Sequence, residues 1–134
     1  MNTEHVVQHR KKRILAVDDD SLVRRSLQIL LREAGHNATI AGSGQEALGF
    51  LVQRHFDLLI TDIRMPDMDG LQVIQAVRDY CREMKMDPIP EIVLTGYSDE
   101  AVRQSAIRLG VREFLMKPFK LDDFLKVLDR NLAR

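Results

Sequence analysis

The sequence places residues that could bind a metal ion or phosphate directly after short apolar runs. These residues are Asp18, Asp19 and Asp20 after one run, Thr61 and Asp62 after another, and Thr95 and Lys117 after two later runs. Two carboxylates about 4 Å apart repel each other by about 4 kcal/mol at an effective dielectric constant near 20, so a cluster of them requires a proton, a cationic side chain or a metal ion. Carboxylate oxygens with coordination positions left for water favour Mg²⁺, with Mn²⁺ as an alternative ion.

The same residue types indicate phosphoryl transfer to a carboxylate. In such a reaction a metal ion and Lys117 would neutralise charge on the phosphoryl oxygens, and Thr95 would donate a hydrogen bond to one of them. An aspartate carboxylate would attack the phosphorus in line. Because these residues are far apart in sequence, the chemistry depends on a fold that brings the ends of the apolar runs together.

Short apolar runs alternate along the chain with segments of helical spacing. The runs predicted as strands are Ile14–Val17, Ala38–Ala41, Leu58–Ile60, Ile92–Leu94 and Phe114–Met116. Five strand-then-helix units predict an α/β fold with a five-stranded parallel sheet, doubly wound as (βα)5. In such sheets ligands bind at the carboxyl ends of the strands, so this edge is the predicted site.

The helical segments carry apolar residues on one face at intervals of three and four. Gly35 is expected to end the first helix, and Ser43 with Glu46 fits a capping box at the start of the second. Cys81 is expected in the core and His36 at the surface. The residues predicted to face the core are Leu22, Val23, Leu27, Leu30, Leu31 and Ala34; Ala47, Leu48, Leu51 and Val52; Val73, Ile74, Val77, Tyr80, Cys81 and Met84; Val102, Ala106, Ile107 and Leu109; and Leu121, Phe124, Leu125, Leu128 and Leu132.

Composition limits the classes of protein that remain. The 134 residues are 45% hydrophobic and 30% charged, which is typical of a folded domain. Residues 1–12 are predicted to be a flexible basic tail, and residues 13–134 a single domain. Residues 14–134 hold 16 basic and 19 acidic residues, a balance that argues against direct nucleic-acid binding. One cysteine, no secretory leader and no apolar run of membrane-spanning length predict a cytoplasmic protein without membrane contact.

Four motifs occur along the chain in this order: ILAVDDDSLVRR, TDIRMPDMDG, LTG and FLMKPF. Together they resemble the response-regulator receiver domains of two-component signalling, over about residues 13–133. The resemblance implies a flavodoxin-like receiver fold and a phosphorylation switch rather than an enzyme, with self-phosphorylation and self-dephosphorylation as its only chemistry. It also implies that Asp62 is the phosphoacceptor, which would take its phosphoryl group from a sensor histidine kinase or a histidine phosphotransfer protein.

The resemblance further implies roles for the other site residues. The implied metal ligands are Asp18, Asp19, Asp62 and the backbone carbonyl of Arg64. The implied switch residues are Thr95 and Phe114. Lys117 would contact the phosphoryl group, and the peptide bond between Lys117 and Pro118 would be cis. The side chains of Arg64 and Tyr97 would shade the path of the hydrolytic water, which predicts slow self-dephosphorylation.

By resemblance, phosphorylation would control a downstream target, or an output domain missing from this chain, through the face formed by the fourth helix, the fifth strand and the fifth helix. A phosphorylation-dependent homodimer is a further predicted form. Whether the chain acts alone or is a piece of a longer regulator stays open.

Two other functions remain open on the residues alone. Asp18 and Asp20 have the Asp-x-Asp spacing of haloacid-dehalogenase-type phosphatases, which would make the chain a Mg²⁺-dependent enzyme acting on external phosphate esters. Those enzymes usually carry a cap insertion, for which this sequence offers no segment. A flavin-binding module of similar topology would need a Ser, Thr and Gly loop for phosphate after the first strand, where this chain has three aspartates.

Overall fold

Strands and helices alternate as predicted in the computed structural model, which describes residues 11–96 and 100–132. The strands are β1 (Arg13–Val17), β2 (Asn37–Ala41), β3 (Leu58–Asp62), β4 (Glu91–Thr95) and β5 (Glu113–Met116), and the helices are α1 (Ser21–Glu33), α2 (Gly44–Leu51), α3 (Gly70–Glu83), α4 (Glu100–Leu109) and α5 (Leu121–Leu132). The strands are all parallel and lie in the order β2-β1-β3-β4-β5. The doubly wound (βα)5 prediction is therefore confirmed. Residues 1–10 of the predicted tail lie outside the described residues, so its flexibility stays a prediction.

Helices cover both faces of the sheet because successive strand side chains point to opposite sides. On one face Leu15 and Leu59 pack with residues of α2, α3 and α4. On the other face Ile14 and Ile60 pack with residues of α1 and α5. Cys81 on α3 is buried in the first of these two cores, as predicted.

The sheet also fixes the residues at its carboxyl edge. Asp62 is the last residue of β3, and Thr95 is the last residue of β4. The backbone N–H of Asp18 donates to the carbonyl of Ala41 at 3.1 Å, and that of Lys117 donates to the carbonyl of Thr95 at 2.9 Å. The hydrogen-bond ladder thus continues one residue beyond β1 and β5, so the backbone at both site positions is held by the sheet.

Several apolar residues near helix ends are exposed although helical spacing predicted them in the core. They are Leu22, Val52, Met84, Ile107 and Leu121, with exposures between 45% and 73%. A helix of 13 residues such as α1 is about 20 Å long, whereas a strand of five residues such as β1 spans about 16 Å. The ends of the helices therefore extend past the sheet. No helix in the described part of the chain combines the length and the apolar character that a membrane span needs.

The loop before α2 and the loop before β2 each differ from the sequence prediction in one contact. Ser43 caps α2 by accepting a hydrogen bond from the N–H of Glu46 at 3.1 Å. The Glu46 carboxylate accepts from the N–H of Gly42 at 2.6 Å, so a reciprocal capping box with Ser43 is not formed. His36, expected at the surface, is buried, and its Nδ1 accepts a hydrogen bond from the N–H of Lys12 at 3.1 Å.

Candidate functional site

Three carboxylates converge at the carboxyl edge of the sheet and form what we call the acidic cluster: Asp18, Asp19 and Asp62. One oxygen from each lies within 4.8 Å of the others. Asp18 follows β1 and is fully buried, and Asp62 at the end of β3 is nearly so. Asp19 is exposed, which leaves the cluster open to water on one side. The parallel topology predicted this convergence, and the structure brings these side chains together.

Lys117 lies against the acidic cluster from the end of β5. Its Nζ is 2.9 Å from Oδ2 of Asp18 and 3.3 Å from Oδ1 of Asp62. Burial works against the charged form of Lys117, but the ion pairs with Asp18 and Asp62 outweigh it and raise the pKa of the ammonium. Lys117 thus stays charged near neutral pH. The cluster has three carboxylates and this ammonium contacts two of them, so the group carries excess negative charge when all are ionised.

The ionisation of Asp62 reflects this crowding. Burial and, to a lesser extent, the nearby Asp18 carboxylate raise the pKa of Asp62 from 3.8 to about 6, despite the lowering effects of Lys117 and of the Ile63 N–H. A carboxyl group with this pKa is mostly ionised at neutral pH. Asp62 is therefore available as a nucleophile, although its charge is costly to hold in the free protein.

Backbone groups hold the two buried carboxylates in place. Oδ1 of Asp62 accepts a hydrogen bond from the N–H of Ile63 at 2.9 Å, and Oδ1 of Asp18 accepts one from the N–H of Asp20 at 2.9 Å. Oδ2 of Asp18 is buried with the Lys117 ammonium beside it but without a hydrogen bond of good geometry. A buried carboxylate oxygen in that condition fits a site for a cation.

Gly70 brings the start of α3 against the end of β3, and this contact was missed in the sequence. A Cβ atom at Gly70 would collide with the backbone carbonyl oxygen of Asp62 and would lie 2.8 Å from the Cα of Ile63. The N–H of Gly70 donates to the carbonyl of Ile63 at 2.8 Å, and Oγ1 of Thr61 donates to the carbonyl of Asp62 at 2.8 Å. These contacts fix the Asp62 backbone. The glycine at the end of the MPDMDG segment was the available signal.

The two predicted switch residues, Thr95 and Phe114, lie on the adjacent strands β4 and β5. Thr95 is buried, and its hydroxyl has only a long 3.4 Å contact to the carbonyl of Gly96. Phe114 on β5 is half-buried, and the guanidinium of Arg103 on α4 lies 5.1 Å from its ring centroid, a cation–π distance. A switching role for either residue stays a prediction.

Three further predictions concern the Lys117–Pro118 peptide bond, Arg64 and Tyr97. The peptide bond between Lys117 and Pro118 is cis, as predicted. Arg64, two residues after Asp62, is exposed. Its predicted roles, as a metal ligand through its backbone carbonyl and as a shield against the hydrolytic water, stay predictions. Tyr97 lies outside the described residues.

The donor set of the acidic cluster fits a hard divalent cation. It offers carboxylate oxygens from one loop and one strand end, a buried oxygen without a well-aligned hydrogen bond, and an open side for water. Mg²⁺ is usually held by one or two carboxylates together with several waters and substrate phosphate. The site is too acidic to bind a phosphate group tightly without such an ion or a proton.

Comparisons with known proteins agree with this arrangement. The family model described as response regulator receiver domain matches residues 14–129. The transcriptional regulatory protein ZraR of Escherichia coli O157:H7 is 36% identical over 121 residues, which are 90% of this chain and 26% of that protein. An uncharacterised 14.6 kDa protein of Leptolyngbya boryana is 40% identical over 105 residues, 78% of each chain. The Vibrio cholerae chemotaxis protein CheY4 superposes with a TM-score of 0.81 and 32% identity, covering 92% of this chain and 100% of that one.

The length over which these proteins match limits which of their properties can be assigned to this chain. This chain spans about a quarter of the length of ZraR, so the activity of that protein as a whole does not follow from the match. The match covers nearly all of the described residues, including every member of the acidic cluster and Lys117. The phosphatase alternative gains no support from any of these relatives.

Proposed function

The chain belongs to the response regulator receiver domain family of two-component signalling, and on this premise we propose that Asp62 is its phosphoacceptor. Receiver domains act as switches rather than as enzymes on external substrates, and we propose that this chain catalyses only its own phosphorylation and dephosphorylation. The observation that supports the proposal most directly is the position of Asp62 beside the Lys117 ammonium, which contacts the carboxylates of both Asp62 and Asp18.

The proposed transfer uses the ionised Asp62. A carboxylate oxygen attacks the phosphorus of a phosphohistidine in line, the new O–P bond forms, and the N–P bond breaks. The histidine ring, protonated beforehand on its other nitrogen, keeps the electron pair of the broken bond and leaves as neutral imidazole. Lys117, already beside Oδ1 of Asp62, moves its ammonium contact to a phosphoryl oxygen as negative charge arrives.

We propose that the acidic cluster serves this step as a metal site. Asp18, Asp19 and Asp62, with the backbone carbonyl of Arg64, would hold Mg²⁺, which supplies positive charge to oxygens of the transferring phosphoryl group. Mn²⁺ is the alternative ion. Receiver domains generally bind Mg²⁺ at an acidic pocket, and the excess negative charge of the cluster supports the same role here.

The proposed switch follows from the new charge on Asp62. Thr95 would turn its hydroxyl toward a phosphoryl oxygen, which its long contact to Gly96 does not oppose, and Phe114 would move inward as Thr95 leaves its place. The face formed by α4, β5 and α5 would change with them. Ile107, Met116 and Leu121 are exposed on these three elements, which supports a protein-binding role for the face.

The proposed partners are of two kinds. A sensor histidine kinase or a histidine phosphotransfer protein would supply the phosphoryl group, and a downstream target or an output domain would bind the α4-β5-α5 face. A phosphorylation-dependent homodimer through that face is a further proposal. A cytoplasmic location stays a prediction.

The lifetime of the phosphorylated form is proposed to be long. Arg64 stands two residues after Asp62, and Tyr97 two residues after Thr95. Large side chains at these positions would restrict the water that hydrolyses the acyl phosphate. Loss of label that is faster in the wild type than in the Arg64→Ala/Tyr97→Ala variant would contradict this proposal.

The central test is labelling of the full chain by a small phosphodonor such as acetyl phosphate in the presence of Mg²⁺. The wild type is expected to gain one phosphoryl group that is released by hydroxylamine, as an acyl phosphate is, and Asp62→Asn is expected to gain none. Asp79→Asn, which changes an exposed carboxylate on α3, is the matched control and keeps full labelling. Equal labelling of Asp62→Asn and the wild type would disprove the proposed phosphoacceptor.

A further inference from the structure

Arg24 on α1 reaches back to the loop that carries two members of the acidic cluster. Its Nη1 donates a hydrogen bond to the backbone carbonyl of Asp18 at 3.0 Å. The side chain is half-buried, and its own backbone N–H donates to the carbonyl of Asp20 at 3.0 Å. The first turn of α1 and the loop before it are therefore tied together twice, once through the backbone and once through the guanidinium.

The bond from Arg24 completes the set of contacts that hold Asp18. The N–H of Asp18 is held by Ala41, Oδ1 by the N–H of Asp20, and Oδ2 by the Lys117 ammonium. The carbonyl that Arg24 holds belongs to the peptide unit that joins Asp18 to Asp19. Rotation of this peptide would move the exposed Asp19 carboxylate relative to the two buried ones. Arg24 thus restrains the geometry of the pair.

The loop after β2 is shaped to admit this guanidinium. A Cβ atom at Gly42 would lie 3.2 Å from Nη1 and 3.4 Å from Cζ of Arg24, closer than such contacts usually come. The absence of a side chain at Gly42 leaves the path open, while the N–H of Gly42 is held by the Glu46 carboxylate at 2.6 Å. The passage for Arg24 is therefore built by a second loop, independently of the hydrogen bond itself.

We propose that Arg24 is a positioning residue of the metal site: it fixes the peptide between Asp18 and Asp19 so that both carboxylates face one cation. This inference rests on the proposed function, because it assumes that the acidic cluster binds Mg²⁺. Arg24 does not contact the carboxylate oxygens in the described hydrogen bonds and acts through the backbone. Since a guanidinium remains protonated at all ordinary pH values, the restraint is constant across the working range.

The test is a calorimetric Mg²⁺ titration of the full chain without phosphodonor, together with thermal unfolding in EDTA. Groups that orient metal ligands typically contribute tenfold or more to metal affinity, so Arg24→Ala is expected to bind Mg²⁺ about tenfold more weakly. Arg24→Lys keeps the charge and one donor and is expected to recover part of the loss. Arg25→Ala removes the neighbouring exposed arginine and is the matched control, with unchanged affinity.

A separate variant tests whether Arg24 needs the space that Gly42 leaves for its guanidinium. Gly42→Ala leaves Arg24 in the chain but crowds its guanidinium, so it is expected to weaken Mg²⁺ binding in the same direction and by less. Thermal midpoints in EDTA that stay near the wild-type value in Arg24→Lys, with affinity between those of Arg24→Ala and the wild type, support a positioning role. A purely structural role would lower the EDTA midpoint and leave the affinity of the folded protein unchanged, and that outcome overturns the proposal.

The failure of this inference is distinguishable from the failure of the proposed function. If the wild type does not bind Mg²⁺, the metal site itself is wrong and the role of Arg24 falls with it. If the wild type binds Mg²⁺, Asp18→Asn loses binding, and Arg24→Ala stays within twofold of the wild type, the metal site stands and Arg24 has no part in it. Equal losses in Arg24→Ala and Arg25→Ala would likewise overturn the proposal, because they would indicate a general charge effect.

Discussion

At the carboxyl end of the sheet three carboxylates lie together and one lysine contacts two of them, whereas at the amino end Glu91 and Glu113 are each paired with an arginine. Nε and Nη2 of Arg78 donate to the two carboxylate oxygens of Glu91 at 2.8 Å each. Arg130 donates to both oxygens of Glu113 at 2.6 and 3.1 Å. Glu91 begins β4 and Glu113 begins β5, so these pairs lie on the same strands that end near the site.

One carboxyl group from each end, Glu113 and Asp62, shows this difference in its pKa. Hydrogen bonds from Arg130 lower the pKa of Glu113, whereas burial and the charge of Asp18 raise that of Asp62 to about 6. A paired carboxylate stabilises the fold in its charged form, and a crowded one destabilises it. The comparison teaches that this molecule keeps its excess negative charge at the end where the proposed Mg²⁺ ion would neutralise it.

The largest expected effect is on the rate of phosphorylation, which should depend on the cation at the carboxyl end of the sheet and not on the one at the amino end. Lys117→Met removes the cation beside Asp62 and is expected to slow labelling by acetyl phosphate about 100-fold or more, because the positive charge on the phosphoryl oxygens is lost. Arg78→Met removes a cation at the other end and is the control. Its initial labelling rate per folded molecule is expected to equal that of the wild type. Comparable rates in both variants would remove the functional distinction between the ends.

The next effect concerns stability and pH at the acidic cluster. The pKa of Asp62 is about 6 in the folded chain, whereas its ordinary value is 3.8. Between pH 3.8 and about 6 the folded state therefore keeps a proton that the unfolded state has already released. Stability therefore falls as pH rises through this window, and the penalty is complete above it. Asp62→Asn is expected to stabilise the metal-free protein by about 2 to 3 kcal/mol at neutral pH.

Urea denaturation in EDTA at several pH values checks this prediction. The stability difference between Asp62→Asn and the wild type is expected to vanish below the ordinary carboxyl pKa of 3.8, where both states are protonated. A difference that is constant across pH would show that the amide acts through packing and not through charge.

A somewhat smaller change in stability, in this case a loss, is expected at the amino end of the sheet. In Arg78→Met the Glu91 carboxylate, which is nearly buried, loses both of its hydrogen bonds, and the carbonyl of Leu109 loses the bond from Nη1 of Arg78. The expected cost is about 2 kcal/mol of unfolding free energy. Combining it with Glu91→Leu is expected to recover part of this cost, since no buried charge then remains unpaired. A double-mutant cycle in urea measures the coupling.

The smallest expected effect is at the exposed arginine of the second pair. Arg130→Ala is expected to lower the thermal midpoint slightly at neutral pH, because Glu113 loses its main partner. The pKa of Glu113 lies below its usual 4.5 in the folded chain, so the stabilising contribution is present above 4.5 and is lost as pH falls through the lowered value. Midpoints of the two proteins are therefore expected to converge in acid. A difference that persists there would point to lost packing.

The convergence of the site was predictable, and its detailed contacts were not. Asp62, Thr95 and Lys117 each follow a buried apolar run, and parallel strands bring such positions to one edge. Which oxygen of Asp18 faces Lys117 depends on the hydrogen bond that the N–H of Asp20 donates to the other oxygen, which the positions of the strands in the sequence do not specify. The same holds for Arg24, whose partner is a backbone carbonyl.

The helix faces were predicted better than the helix ends. Periodicity identifies which face of a helix is apolar, but it does not show how far the sheet extends beneath that face. Leu22 and Leu121 were therefore predicted in the core, whereas both are exposed. His36 was misplaced for a related reason: the turn between α1 and β2 folds back onto the start of β1, where Lys12 donates to the imidazole. The Arg78 and Glu91 pair, 13 residues apart, depends on the register between α3 and β4 and has no local signature.

The burial of Cys81 has a practical consequence for probing this protein. It is the only thiol in the chain, it is 3% exposed on the buried face of α3, and burial raises its pKa, so little thiolate is present to react with a maleimide or an iodoacetamide. A cysteine introduced at an exposed position, such as Ile107→Cys on α4, would carry a fluorophore or spin label with the native cysteine left in place. Conformational exchange of α4 can thus be followed spectroscopically without first removing a core side chain.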